Sequence, residues 1–274
     1  MTGRVRFRPF TGESESHVRL DAAPLAMVLC QVRWPEIGYL QEDISARANS
    51  LGGLLKDYPL FSSSPEIVFN VTPQGVTHSE SGFVYQWSTP DRSWIVSLGG
   101  TFMTLISKDY ETFPVFESKL AGVLSKVKQV LEVPLIDRIG VRYVNQISDV
   151  DQVSRIGELV RPEILGYQAL APSTSEASLI QALNQASFQV GDSTLQVRSG
   201  IIPAGELLDP ALETLDGPSW VLDIDAFSQF EMEFDVDSVL AQVSKLSDTA
   251  YDFFTWVITQ GFIDEFGGKA HDNN

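Results

Sequence analysis

The side chains best suited to chemistry are carboxylates that alternate with apolar residues along the segment 220–237. Asp223 and Asp225 point to one face of a predicted strand and Leu222 and Ile224 to the other, because successive side chains of a strand alternate. The same alternation continues in Glu231, Glu233, Asp235 and Asp237. Paired carboxylates on neighbouring strands can bind Mg²⁺ or Ca²⁺, or can act as general acids and bases. The alternative is a solvated sheet face, which we favour because an alternating strand needs polar residues there in any case.

A second candidate is the strand predicted at 137–147, which is largely apolar. Arg142 and Asn145 interrupt this apolar run, and Arg142 lies on the opposite face from Val141 and Tyr143. Such a polar pair can recognise an anion, or it can complete a buried hydrogen-bond network at the junction of two halves of the fold. We favour the structural role for this pair.

Arg33 ends the first predicted strand and occupies the position that corresponds to Arg142 if the two halves of the chain are repeats. In that case the two arginines are expected to face each other across a pseudo-twofold axis.

The sequence lacks the common signatures of catalysis and nucleotide binding. Its three histidines, His17, His78 and His271, have neither metal-ligand nor catalytic-triad spacing. Glycine-rich phosphate loops and the GxSxG pattern of hydrolases are absent from the sequence. We therefore assign no catalytic residue, no metal ligand and no cofactor.

Charge and cysteine content restrict the class of protein. With 36 acidic and 19 basic residues the net charge is −17, which disfavours binding to nucleic acid. The acid excess is typical of colloidal solubility, and it also suits a basic protein partner. The single cysteine, Cys30, lies in an apolar run and cannot form an intramolecular disulfide, which favours the cytoplasm. No segment approaches the roughly 20 apolar residues of a membrane helix, so we expect no membrane partner.

Hydrophobic periodicity predicts alternating strands and helices along the chain. In the first half we predict a strand at 24–34, a helix at 37–58 that Pro59 ends, strands at 66–72, 82–89, 93–99 and 101–108, and a helix at 113–131. In the second half we predict a strand at 137–147, a helix at 153–165 that Pro162 shortens or kinks, strands at 178–190, 193–203 and 220–227, and a long helix beginning after Asp235 or Asp237.

This order of elements predicts an α+β fold in which one antiparallel sheet carries helices on one face. Residues 21–134 and 135–266 share a similar order, which we interpret as two β-α-β(3-4)-α repeats. Residues 1–20 are predicted to form a mobile N-terminal arm, and residues 267–274 a polar tail. The second face of the sheet would be exposed or would cover another subunit. A homo-oligomer is therefore one of the expected assemblies.

Three short motifs resemble those of a sporadically distributed family of prokaryotic proteins of similar length with no assigned function. They are Ala23-Pro24-Leu25 followed by Arg33-Trp34, then Tyr58-Pro59, and the run RIGVRYVN at 138–145. The resemblance implies a bacterial or archaeal cytosolic protein. Patchy distribution of this kind accompanies mobile islands, toxin–antitoxin pairs and phage defence. The family supplies no catalytic residues that could be carried over.

These observations favour a non-enzymatic protein-interaction module, such as an antitoxin, an immunity protein or a component of phage defence. The partner would be another protein, either basic or encoded nearby. One alternative is a divalent-metal-dependent enzyme with a carboxylate site built on Asp223, Asp225 or Glu231. A further alternative is a sensor that binds a small molecule in a cavity between sheet and helices.

Overall fold

The computed structural model describes residues 8–12, 18–72, 75–170, 179–267 and 269–270. The protein is mixed α/β, with 34% helix, 35% strand and a large antiparallel sheet. This confirms the predicted combination of helices with an antiparallel sheet. Within the described ranges, no helix has both the length and the apolar character that crossing a membrane requires.

Thirteen strands and six α-helices make up the regular structure of the described residues. The strands are β1 (Val18–Arg19), β2 (Leu25–Arg33), β3 (Leu60–Thr72), β4 (Gly75–Ser88), β5 (Trp94–Leu98), β6 (Phe102–Ser107), β7 (Leu135–Ile136), β8 (Arg138–Ile147), β9 (Ala182–Val190), β10 (Ser193–Ile202), β11 (Ser219–Ser228), β12 (Met232–Glu233) and β13 (Lys269–Ala270). The helices are α1 (Gly38–Leu54), α2 (Phe113–Leu131), α3 (Val150–Ser154), α4 (Ile156–Leu159), α5 (Val236–Val257) and α6 (Gln260–Glu265).

The chain divides into two compact units, each of which contains residues from both halves of the sequence. The terminal unit consists of Met1–Val28, Val141–Phe227 and Lys245–Asn274. The central unit consists of Leu29–Gly140 and Ser228–Ser244.

In the central unit the strands follow the order β3-β4-β5-β6-β2. Consecutive strands from β3 to β6 pair antiparallel, as the alternating pattern and the turns between the strands predict. β3 pairs with β4 from Leu60↔Ser88 to Thr72↔Gly75, whereas β5 pairs with Tyr85–Ser88 of β4. The hairpin of β3 and β4 therefore continues beyond the end of β5 as a two-stranded ribbon, and both strands are longer than predicted.

Helices α1 and α2 of the central unit pack against each other. The apolar side chains of α2 recur every three or four residues, and the buried ones are Phe116, Leu120, Val123, Leu124, Val127, Val130 and Leu131. The last carbonyl groups of α2 have no partner within the helix. Tyr39 Oη donates to the carbonyl of Glu132 at 2.7 Å, and Arg47 Nη1 donates to that of Val130 at 2.6 Å. Side chains of α1 thus complete the end of α2.

In the terminal unit the strands follow the order β8-β11-β10-β9. β10 pairs antiparallel with β9 and with β11, and Gly191, at φ +60°, opens the two-residue turn that joins β9 to β10. The part of α5 that belongs to this unit buries Leu246, Ala250, Phe253 and Val257. Tyr143 Oη and Ser247 Oγ form a hydrogen bond of 2.7 Å between β8 and α5.

Residues 153–165 do not form the continuous helix that the sequence predicted. The chain instead forms the short helices α3 and α4, followed by 3₁₀ turns at Pro162–Ile164 and Gly166–Leu170. Val160 pairs with Ile258 in an extended bridge, and Arg161 N donates to the carbonyl of Val257 at 2.9 Å. These contacts with the end of α5 favour extended backbone just before Pro162, a position at which proline disfavours helix as well.

Asp252 of α5 joins the described part of the N-terminal segment to the terminal unit. Its carboxylate is buried and accepts hydrogen bonds from Phe10 N at 2.8 Å, from Thr11 N at 3.3 Å and from the Thr11 hydroxyl. The Phe10 ring packs edge-on against Phe253, with ring centroids 5.0 Å apart. Residues 8–12 are therefore held against α5 by hydrogen bonds and by aromatic packing.

Candidate functional site

The polar face of β11 carries a buried carboxylate with two arginines around it. The antiparallel register of β10 and β11 places Arg198 directly opposite Asp223. Arg142 comes from β8, which neighbours β11 in the strand order. The Asp223 side chain is only 2% exposed, compared with 14% for Arg142 and 30% for Arg198. All three residues belong to the terminal unit.

Both oxygens of Asp223 accept hydrogen bonds from guanidinium groups. Arg142 binds in a bidentate manner, with Nε 2.7 Å from Oδ1 and Nη2 3.1 Å from Oδ2. Arg198 binds Oδ2 through Nε at 2.8 Å and through Nη2 at 2.5 Å. Bidentate pairing matches the planar fork of arginine to the carboxylate and fixes the orientation of both groups.

A second carboxylate reaches this arrangement from the irregular segment 203–218. Asp209 Oδ2 lies 2.5 Å from Arg142 Nη1, and the Asp209 side chain is 21% exposed. Its other oxygen, Oδ1, accepts a hydrogen bond of 2.8 Å from Ala211 N. Asp209 therefore joins the segment 203–218 to Arg142. We call Arg142, Arg198, Asp209 and Asp223 the ion-pair cluster.

The ion-pair cluster balances its own charges, with two arginines and two aspartates. Burial disfavours the charged form of Arg142, but hydrogen bonds and Coulombic attraction from Asp223 and then Asp209 outweigh this effect and raise the pKa of the guanidinium. Arg142 stays cationic at every accessible pH. Because desolvation and attraction nearly cancel in such clusters, the network gives little net stability while intact, whereas removal of its most buried charge, that of Asp223, is costly.

The structure corrects the expectation of a solvated face for Asp223. The alternation of β11 is as predicted, but this face is covered at Asp223 by the arginines of the neighbouring strands. Asp225 is half-buried and lies opposite Gln196 of β10. The Glu231 and Glu233 side chains are exposed, and β12 contains only Met232–Glu233 in this region.

Asp235 begins helix α5, as predicted, instead of continuing a strand. Its Oδ2 accepts hydrogen bonds from Ser238 N at 3.0 Å and from Ser238 Oγ at 2.9 Å. These bonds, together with attraction from Lys128, lower the pKa of the Asp235 carboxyl group. The neighbouring Asp237 is exposed in the first turn of α5.

The polar pair predicted in β8 divides into two environments. Arg142 belongs to the ion-pair cluster, whereas Asn145 is buried and its Nδ2 lies 3.5 Å from the carbonyl oxygen of Leu222. Arg33 belongs to the central unit, and its side chain is exposed. The correspondence between Arg33 and Arg142 stays a prediction.

Sequence reasoning missed Arg198 and Asp209. Arg198 shares the polar face of β10 with Thr194 and Gln196, so alternation would have placed it on a sheet face but not beside Asp223. The pairing register of β10 and β11 decides that contact. Asp209 lies in an irregular segment, and its position has no periodic signal in the sequence.

The ion-pair cluster is poorly suited to hold a metal ion. Both oxygens of Asp223 already accept hydrogen bonds from arginines, and the adjacent guanidinium charges repel a cation. Among the described residues, no group of three or more His, Cys, Asp and Glu side chains is placed to coordinate a metal. His78 lies in β4, and His17 and His271 lie outside the described residues.

Comparison with known proteins found no matching family model, no matching curated protein and no matching solved structure.

Proposed function

We propose that the protein is a non-enzymatic protein-interaction module that adds a strand of its partner to β9. The observation that carries the proposal is the composition and exposure of β9, which ends the strand order of the sheet. Its sequence, ALNQASFQV, contains no charged residue and no proline. Residues 185–189 are exposed in succession, although the partly exposed Phe188 ring also packs against Phe10 and Phe253 on one face of the strand.

The outer side of β9 offers backbone groups for pairing. β9 and β10 are joined by a two-residue turn, so Val190 and Ser193 form a hydrogen-bonded pair and such pairs alternate along the hairpin. The backbone N–H and C=O groups of Leu183, Gln185, Ser187 and Gln189 consequently point away from β10. Within the described residues, no strand other than β10 pairs with β9.

The strand at the other end of the order is protected against such pairing. β3 contains Pro65 and Glu66, and its register with β4 shifts between Glu66 and Ile67. Proline, charge and irregular pairing all discourage the addition of another strand. β9 has none of these devices, which is typical of an edge that a partner covers.

The net charge of −17 favours a basic partner, because opposite charges accelerate encounter and exclude acidic competitors. We assign the protein to the cytoplasm of a prokaryote, where it would act as an antitoxin, an immunity protein or a component of phage defence. A second copy of the chain, paired through β9, is the homo-oligomeric form of the same proposal.

We also propose that the fold consists of two β-α-β(3-4)-α repeats with helices on one face of the sheet. The strand orders of the two units support this, since the first long strand of each repeat neighbours its last long strand. β2 lies beside β6 in the central unit, and β8 lies beside β11 in the terminal unit. The remaining strands of each repeat then follow outward in reverse chain order.

The test of strand addition is Ser187→Pro, with Ser187→Ala as the matched control. Proline removes an outward N–H, which β9 does not use in its pairing with β10, whereas alanine keeps it. Proteins captured from the native host by the wild type would be purified and titrated against all three forms by calorimetry. We expect Ser187→Pro to weaken binding at least tenfold and Ser187→Ala to leave it unchanged.

Hydrogen exchange locates the contact independently of affinity. Binding should protect the amides of Leu183, Gln185, Ser187 and Gln189 more than those of β3. Equal affinity of the proline and alanine forms, or the absence of any protein specifically captured by the wild type, would refute the proposal. The homo-oligomer is tested by analytical ultracentrifugation of the same three purified forms. If copies pair through β9, Ser187→Pro should weaken their association and Ser187→Ala should not.

A further inference from the structure

The described part of the N-terminal segment, residues 8–12, covers three aromatic side chains beside the edge of β9. They are Phe188 of β9 and Phe253 and Trp256 of α5, which we call the aromatic surface. Their ring centroids lie 5.9 Å apart between Phe188 and Phe253, and 5.5 Å apart between Phe253 and Trp256. The Phe10 ring contacts all three, edge-on against Phe188 at 5.4 Å and against Phe253 at 5.0 Å. All of these residues belong to the terminal unit.

Phe10 makes a contact that an added strand would also make. Phe188 lies on the face of β9 that packs against α5, and its neighbour on β10 is Leu195, which is fully buried. A strand added to the outer side of β9 would bring one of its own side chains against Phe188 on this face. The Phe10 ring already packs there, although residues 8–12 pair with no strand in the part of the chain that the structure describes.

Asp252 of α5 supplies a polar group beside the aromatic surface. It is only 1% exposed, and its carboxylate accepts hydrogen bonds from Phe10 N, Thr11 N and the Thr11 hydroxyl. Within the described ranges, no other donor to this carboxylate is found. A buried carboxylate needs hydrogen-bond donors, because leaving it unpaired costs free energy. Any segment that replaces residues 8–12 must therefore bring N–H or O–H groups to Asp252.

Residues 8–12 form a small contact that can open without unfolding the terminal unit. None of the five residues is buried: two are exposed and three are half-buried. Their internal backbone hydrogen bond runs from Gly12 N to the carbonyl of Arg8 at 3.1 Å. Beneath them, Phe253 is 2% exposed and belongs to the packed face of α5. A segment held by a few surface contacts opens at a lower free energy than the core to which it is attached.

We propose that residues 8–12 occupy part of the partner's site, and that strand addition at β9 displaces them. The partner strand places an aromatic side chain on the aromatic surface and brings a donor, from its backbone or from a basic side chain, to Asp252. This inference rests on the proposed strand addition and describes the partner segment as an aromatic residue beside a basic one. Arg8-Pro9-Phe10 of the chain itself has this combination, and the net charge of −17 favours it. The contact of residues 8–12 with α5 is thus autoinhibitory.

The test is a fluorescence anisotropy titration with a labelled synthetic peptide of residues 8–12, RPFTG. We expect Phe10→Ala to bind this peptide at least tenfold more tightly than the wild type, because its aromatic surface is no longer filled. Phe230→Ala is the matched control: it removes a partly exposed phenylalanine from the central unit and should bind as weakly as the wild type. The peptide RPATG keeps the charge but lacks the ring, and it should bind to none of the three proteins.

Equal binding of RPFTG to the wild type and to Phe10→Ala would overturn the proposal. So would the absence of binding to Phe10→Ala at about 1 mM protein.

Hydrogen exchange with the captured partner separates this inference from strand addition itself. The amides of Phe10 and Thr11 should exchange faster when the partner binds, while the outward amides of β9 become protected. Protection of β9 without faster exchange at Phe10 and Thr11 would overturn the displacement and leave strand addition in place. If Ser187→Pro leaves partner binding unchanged, strand addition alone fails, since faster exchange of the Phe10 and Thr11 amides would still show that the partner displaces residues 8–12.

Discussion

Arg198 of β10 lies directly opposite Asp223 of β11, and its Nε and Nη2 both donate to the same carboxylate oxygen, Oδ2. Arg142, from β8, donates from Nε to Oδ1 of Asp223 and from Nη2 to Oδ2. One buried carboxylate thus connects three strands of the terminal unit. Asp223 is the one member of the ion-pair cluster that pairs with both arginines, so its charge holds the two guanidinium groups in place.

We predict that Asp223→Asn destabilises the protein by about 3–5 kcal/mol, because it removes the charge that compensates Arg198 and leaves Arg142 with Asp209 alone. The free energy of unfolding from urea denaturation measures this effect. Asp225→Asn, on the same face but half-buried, is the control and should cost about 1 kcal/mol or less. Similar losses for the two variants would show that the ion-pair cluster has no special role in stability.

Asp209→Asn should have a local effect. The side chain is 21% exposed, so loss of its attraction to Arg142 should cost about 1 kcal/mol. Asparagine keeps an oxygen that can accept from Ala211 N, so the turn itself should persist. We expect faster hydrogen exchange in residues 203–218 and unchanged exchange in β10. Uniform acceleration throughout the terminal unit would contradict this prediction.

Asp252 should determine the attachment of the N-terminal segment. Asp252→Leu removes the acceptor for the amides of Phe10 and Thr11, and hydrogen bonds to a charged group are worth about 1.5–3 kcal/mol. We expect both amides to exchange as fast as solvent-exposed ones. Phe10→Ala, which removes the ring contact with Phe253, should act on the same attachment. The effects of the two changes on stability should therefore be less than additive, and full additivity would refute the coupling.

Tyr58 should make stability fall at high pH. Its pKa is raised to about 12 in the folded protein, from an ordinary value near 10, because burial disfavours the phenolate. The stabilising contribution is complete below pH 10 and is lost as the pH rises toward 12, with a slope of up to about 1.4 kcal/mol per pH unit. Tyr58→Phe should flatten this decline and remove one tyrosine from the late part of the absorbance titration. An unchanged titration would show that Tyr58 ionises normally.

Cys30 should be unreactive in the folded protein. The thiol is fully buried, and burial raises its pKa to about 12 although the charge of Arg138 opposes this effect. The thiolate is the reactive form, so modification by a thiol reagent should require unfolding of the protein. Adding denaturant below the unfolding midpoint should accelerate the reaction in proportion to the unfolded population. Rapid modification in native buffer would contradict the burial of Cys30.

Local periodicity identified most of the secondary structure. Apolar residues at helical or alternating spacing predicted the helices α2 and α5 and the strands β5, β6, β8, β10 and β11. Both patterns can be recognised within a short stretch of sequence. The segment 150–170 was less predictable, because its conformation depends on pairing between Val160 and Ile258, which directly follows the distant helix α5. The full lengths of β3 and β4 likewise depend on their pairing with each other.

The sequence by itself determined which face of β11 carries Asp223, but only the tertiary structure decided that this face is buried. Alternation is a local property, whereas burial depends on what covers a face. Arg142 and Arg198 reach Asp223 through the register of neighbouring strands, and Asp209 reaches Arg142 through the path of an irregular segment. In the same way, only the packing of α1 beside Trp87 showed that position 52 leaves no room for a side chain, since a Cβ atom there would lie 2.6 Å from Trp87 Nε1.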